Sequence, residues 1–159
     1  MKVSLDLENT EADETLYTIP KNIRGNTAHE VFGYIADTLK DFLQDRNLEN
    51  ESYQMAFAFN FPVEMTSLTS AISLTFTKEF SLPSVIGKEV GGFLQNAIDK
   101  LGLKIRICCI LNDTVAALAA GVSRDPDCCL GMIVSVQEIT MLIDANNVNS
   151  WSYQLCLGN

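Results

Sequence analysis

The run Ile105-Arg106-Ile107-Cys108-Cys109-Ile110-Leu111 leads straight into Asn112-Asp113-Thr114-Val115-Ala116-Ala117-Leu118-Ala119-Ala120-Gly121. The first part has the length of a strand and is nearly all apolar. Continuous apolarity, rather than alternation, suits a strand buried on both faces. Asn, Asp and Thr directly after it are the residue types whose oxygens accept from the first amides of a helix. Val115 to Ala120 then reads as a short helix ended by Gly121. It is apolar all round and alanine-rich, so it can sit close against a sheet. Strand, cap and closely packed helix make the repeating step of an α/β fold.

Working outward, Ile86, Val90, Phe93, Leu94, Ala97, Ile98 and Leu101 form an apolar stripe at helical spacing upstream, and Gly102 is a natural residue to close it. Met55 to Phe61 reads as a strand with Phe57, Phe59 and Phe61 on one side, ended by Pro62. Thr27-x-x-Glu30 is a capping box, and it opens a helix to about Arg46 with Val31, Phe32, Ile35, Ala36, Leu39, Phe42 and Leu43 on one face. At the start, Val3 to Leu7 and Thr15 to Ile19 read as an antiparallel strand pair. Downstream, Gly131 to Val136 and Ile139 to Ile143 read as two further strands, and the tail after Asn146 is weakly patterned. Helices alternate with strands, so the class is α/β with a mixed, twisted sheet flanked by helices.

Bulk properties narrow the function. The chain has 159 residues, 47% hydrophobic and 19% charged, which is the composition of a chain that folds around a core. With 11 basic and 20 acidic residues the net charge is −9, so nucleic acid and anionic membranes are excluded as partners by long-range repulsion. No apolar run reaches a membrane span of roughly 18 residues, and the first residues lack the apolar core of a signal peptide. Five cysteines, without Cys-x-x-Cys spacing, argue against a disulfide framework or a zinc site and read as reduced thiols of a cytoplasmic protein. A single histidine, His29, beside the capping Glu30, gives no basis for a metal site. Gly91-Gly92 lies inside a helical stripe and is not a phosphate loop.

Four short segments, in order and in register from about Leu16 to Asp144, resemble the hexokinase family. Phe59-Asn60-Phe61-Pro62 is similar to the family's Phe-Ser-Phe-Pro, and Phe76-Thr77-Lys78-Glu79-Phe80 to its Trp-Thr-Lys-Gly-Phe. Leu111-Asn112-Asp113-Thr114-Val115 resembles Val-Asn-Asp-Thr-Val. Asp125-Pro126-x-Cys128, followed by Gly131-Met132-Ile133-Val134, resembles the strand entering the family's second phosphate loop. The resemblance implies a small sugar-binding lobe over 1–111, the start of a larger lobe over 112–145, and a weakly ordered tail over 146–159. It places the chain in the ribonuclease H-like, actin-like group of folds.

It also implies roles. Asp113 matches the family's catalytic aspartate, and Asn112 a sugar-contacting amide. Read without the family, Asp113 is first a helix-capping carboxylate, and the two roles are compatible because Asn112 or Thr114 can supply the cap. Thr77 and Lys78 match sugar contacts; on their own they read as a solvated loop. Glu79 replaces the family's glycine and puts a carboxylate within pairing reach of Lys78. Asn60 stands where the family has a sugar-contacting serine and retains hydrogen-bonding capacity in a larger side chain.

The departure is at Ser135-Val136-Gln137-Glu138-Ile139, where the family reads Gly-Thr-Gly-x-Asn. Glycines there let amides turn toward phosphate, whereas valine resists positive φ and Glu138 adds negative charge. The family's first phosphate loop lies N-terminal to the region matched. The expectation is therefore a hexokinase-family protein acting, by resemblance, on a hexose such as glucose with ATP and Mg²⁺. It lacks an intact phosphate-binding loop and is catalytically impaired as this chain. The alternatives are a non-catalytic sugar-binding or interaction module and a truncated product without a selected function. Self-association is expected through the face where a second lobe would pack.

Overall fold

A computed structural model describes residues 14–77, 79–134, 139–143 and 153–155. The described residues fall into two compact units, one within 1–57 and 61–110, the other within 58–60 and 111–159.

The first unit starts with helix α1, Ala28–Gln44. Its capping box forms as the sequence predicts: Thr27 Oγ1 accepts from Glu30 N, and Thr27 N donates to Glu30 Oε2 at 3.0 Å. The Thr27 backbone amide, then its hydroxyl, hold the Glu30 carboxyl below its ordinary value of 4.5. At the far end Asn47 takes φ 55°, and Leu48 N donates back to Leu43 O, which closes the helix. The buried face is Ala28, Val31, Phe32, Ala36 and Leu43. Phe32 stacks on Phe93 of helix α2, Val90–Lys100, with ring centroids 5.5 Å apart.

Helix α2 begins at Val90 and not at Ile86, which is 46% exposed. Gly87, at φ 75°, breaks the chain direction, and the Glu89 carboxylate caps the helix by accepting from the amides of Gly91 and Gly92. A Cβ at Gly91 would sit 2.6 Å from Ile110 Cδ1, so glycine here admits both the cap and the core. The Gly91-Gly92 pair thus holds the protein's own carboxylate. Gly102, at φ 69°, ends α2 in the expected way, with Leu103 N bonded to Ile98 O and Gly102 N to Asp99 O.

Strands β1, Tyr53–Ala58, and β4, Ile105–Leu111, form a pair. Tyr53 N donates to Lys104 O, and further along Cys108 Sγ lies 3.4 Å from Met55 O, so the two run in the same direction. Gln95 on α2 finishes the edge of β4. Its amide nitrogen donates to Ile105 O and to Asp99 Oδ1, and its oxygen accepts from Ile107 N at 3.0 Å. Between β1 and α2 lies an antiparallel hairpin, β2 at Val63–Ser67 and β3 at Ser70–Ser73, paired Val63 to Ser73 and Met65 to Ala71. The core comprises Phe32, Ala71, Leu82, Val85, Val90, Leu94, Ile98 and Ile110.

The second unit contains helix α3, Asp113–Val122, and strands β5, Leu130–Val134, β6, Ile139–Ile143, and β7, Tyr153–Leu155. The three strands form one antiparallel sheet in that order, with Val134 opposite Ile139 and Ile139 opposite Leu155. A Cβ at Gly131 would lie 2.8 Å from Thr114 O and 2.9 Å from Leu118 Cβ, so this glycine sets how closely α3 lies on β5.

The class is mixed α/β, with the strands among the described residues divided over three small sheets. Several expectations are corrected. Thr15–Ile19 is not a strand: the carbonyls of Thr18 and Ile19 accept from Tyr34 Oη and the Arg24 guanidinium, and Thr15 Oγ1 accepts from Arg46, so side chains hold this segment in place of a ladder. Strand β1 stops at Ala58, ahead of Phe59 to Phe61. Helix α3 is longer at both ends than Val115 to Ala120. Val3 to Leu7, Lys78, Ser135 to Glu138 and most of the tail after Asn146 lie outside the described residues.

Candidate functional site

The C-terminal ends of β1 and β4 are held side by side by Phe59 N, which donates to Leu111 O at 2.8 Å. Phe59 is buried, and the exposed Asn60 follows it. Asn112 and Asp113 follow Leu111. The second unit therefore brings three of the sequence-identified residues, Asn60, Asn112 and Asp113, to adjacent strand ends. This is where an α/β arrangement presents polar groups, because the strand stops and the next helix begins.

Asn112 is the N-cap of α3. Its Oδ1 accepts from Thr114 N at 3.1 Å and from Thr114 Oγ1 at 2.6 Å. Thr114 is 4% exposed, so this hydroxyl has to be satisfied inside the protein, and Asn112 does it. Asp113 is the first helical residue and half-buried. Its Oδ1 also accepts from Thr114 N, at 2.9 Å, while among the described residues no bond to Oδ2 is seen. The positive end of the helix dipole favours a carboxylate here. Asn112 thus carries the cap, and the second carboxylate oxygen of Asp113 is left as an acceptor without a bond among the described residues.

Thr77 lies in the first unit, exposed, in a turn closed by Phe80 N donating to Thr77 O at 3.1 Å. Lys78 lies outside the described residues. Glu79 adopts φ 68°, the left-handed conformation that glycine takes readily and other residues resist. Its carboxylate is bonded to Arg24 at 2.8 Å. Any pairing of Glu79 with Lys78 lies outside the described residues; the pairing the structure describes is with Arg24.

The rings of Phe76 and Phe80, flanking this turn, both pack on Phe61, at 5.0 and 5.3 Å. The sequence reading had not singled out Arg24 or this aromatic trio. The four-residue spacing of Phe76 and Phe80 was the available signal for the trio; nothing in the sequence marks Arg24. Among the described residues no cluster of His, Cys, Asp or Glu is arranged to hold a metal, and Cys108, Cys109, Cys128 and Cys129 are free thiols. No helix among the described residues is long and apolar enough to cross a membrane.

The register Val134 to Ile139 leaves only Ser135 to Glu138 for the connection, with no glycine and one added carboxylate. The amides at the start of α2 are already taken by Glu89.

A family model described as hexokinase matches residues 1–122. A hexokinase of Schistosoma mansoni is 37% identical over 136 residues, which cover 85% of this chain and 30% of that protein. Hexokinase-7 of Oryza sativa subsp. japonica is 36% identical, covering 82% of this chain and 29% of the relative. Hexokinase-1 of Saccharomyces cerevisiae is 35% identical, covering 77% and 26%. A solved structure of the Schistosoma mansoni hexokinase complexed with glucose superposes with a TM-score of 0.80 at 33% identity, over 89% of this chain and 32% of that one. The chain thus spans under a third of the length of these relatives. A family model over residues 1–122, a relative 37% identical over most of the chain and the shared fold together show that the chain belongs to the hexokinase family.

Proposed function

We propose that this chain carries the sugar side of hexose phosphorylation, the ATP-dependent transfer of phosphate to the 6-hydroxyl of a hexose such as glucose. The observation that carries the reading is the adjacent placement of Asn60 with Asn112 and Asp113, fixed by the Phe59 to Leu111 bond and the α3 cap. Asn60 and Asn112 offer amide groups to ring hydroxyls. Asp113 accepts the proton of the hydroxyl that attacks phosphorus. Thr77 and Lys78 are assigned to sugar contact by family resemblance alone. In the family's reaction ATP with Mg²⁺ supplies the phosphoryl group, and the connection Ser135 to Glu138 between β5 and β6 has no glycine to turn amides toward it. The chain by itself therefore binds hexose weakly, in the millimolar range or above, because contacts and water exclusion are incomplete.

A second reading is a non-catalytic hexose-binding module, favoured by the glycine-free connection between β5 and β6. We further infer a cytoplasmic protein that self-associates through the exposed Leu130, Met132, Val134 and Met141 of β5 and β6. The test is a coupled assay of ATP consumption with glucose. No hexose-dependent turnover is expected from the chain alone. Turnover abolished by Asp113→Ala would overturn the impaired reading and establish a complete kinase.

A further inference from the structure

We propose that Arg24 is a positioning residue, a latch that holds the turn carrying Thr77 in a backbone conformation its own sequence disfavours. The strain is local and visible. Glu79 sits at φ 68° with its side chain 64% exposed, so no burial of that side chain offsets the cost of the left-handed backbone.

Arg24 supplies the offset from three directions. Its Nη1 donates to Glu79 Oε2 at 2.8 Å, its guanidinium lies 5.5 Å from the Phe80 ring centroid, and its carbonyl accepts from Ser81 N at 3.0 Å. The latch is itself anchored. Nε and Nη2 both donate to Ile19 O, at 3.1 and 2.9 Å, and the side chain is only 19% exposed. The backbone before it is a 3-10 turn, Lys21–Ile23, bonded from Arg24 N to Lys21 O. A planar guanidinium can fork onto Ile19 O and still reach Glu79; a lysine ammonium cannot present the same fork. Phe76 and Phe80 pin the ends of the turn on Phe61, leaving its middle to the ion pair. The consequence for hexose affinity rests on the sugar-binding reading above.

The test is hydrogen exchange of the full chain, read at the Phe80 and Ser81 amides, with glucose titration calorimetry on the same proteins. Arg24→Ala should exchange there about tenfold faster, and Arg24→Lys should recover only part of this. Glu79→Ala, which keeps Arg24 on Ile19, should also loosen the turn, so the idea stays testable if Arg24→Ala folds poorly. Introducing Glu79→Gly into Arg24→Ala should restore exchange to within about threefold of the parent, because glycine needs no latch.

Unchanged exchange in Arg24→Ala or in Glu79→Ala overturns the proposal. Failure of Glu79→Gly to rescue also overturns it, since Arg24 would then be a general structural residue. If exchange behaves as expected but neither the parent nor any variant binds glucose, the latch stands and the sugar-binding reading falls. Glucose affinity following the order of exchange supports both.

Discussion

Replacing Asn112 by alanine removes the acceptor on which the start of α3 depends. Asn112 Oδ1 takes both the Thr114 amide, at 3.1 Å, and the Thr114 hydroxyl, at 2.6 Å. The amide retains a partner in Asp113 Oδ1 at 2.9 Å, so that loss is partial. The hydroxyl does not: Thr114 is 4% exposed, and its oxygen would be left buried without an acceptor. Loss of a cap costs about 1 kcal/mol and an orphaned buried group about 1–3 kcal/mol. Because the amide is rescued, a total of about 2 kcal/mol follows, or roughly 4–8 °C in melting midpoint for a chain of this size. Asn112→Ser keeps a neutral capping oxygen and should stay within about 0.5 kcal/mol of the parent. Urea denaturation of the three proteins, followed by far-ultraviolet circular dichroism, measures this. An alanine variant as stable as the parent, or a serine variant as unstable as alanine, refutes the assignment of the cap to Asn112.

Other consequences are equally open to measurement. Gly131→Ala should destabilise by about 1–3 kcal/mol, because its Cβ would meet the Thr114 carbonyl and Leu118; unaltered denaturation would show that α3 lies on β5 less closely than described. Gln95→Leu should cost about 2 kcal/mol by leaving Ile107 N and Ile105 O without partners at the edge of β4, and a neutral result would mean that another group covers that edge. Since the capping box holds the Glu30 carboxyl below 4.5, its contribution is present above that value and is lost as pH falls through the lowered one. Glu30→Gln should therefore flatten the acid limb of the stability curve, and identical acid limbs in the two proteins would remove that role.

Features encoded within a few residues were legible in the sequence. The Thr27 and Glu30 box, the Gly102 stop and the β4 to α3 junction each depend on local chemistry, and each formed as read. Periodicity misled where a competing local effect won. Ile86 continues the apolar stripe of α2 but is separated from the helix by Gly87 and the Glu89 cap. The β2 and β3 hairpin was missed because β2 is exposed at four of its five positions, so there was little buried alternation to find. Thr15 to Ile19 has a strand's composition, but Arg24, five positions beyond Ile19, and Tyr34, 16 positions beyond Thr18, claim its carbonyls. Asn112 and Asp113 were legible as a helix start because such residues after a buried strand form a local capping pattern, whereas their assignment to sugar chemistry comes from the family resemblance and not from that pattern. The Arg24 to Glu79 pair spans 55 positions, and no local pattern announces it.

On the proposed function, Asp113 and its neighbours bind a hexose. Titration of the chain with glucose in a calorimeter, beside Asp113→Ala, tests it most directly. Asn112 still caps α3 in that variant, so loss of binding would not be loss of fold. Saturable heat with a millimolar dissociation constant is expected, abolished in Asp113→Ala while the melting midpoint stays within about 3 °C of the parent. Absence of saturable heat up to roughly 100 mM glucose, an affinity too weak to matter, or equal binding by the two proteins, would contradict it.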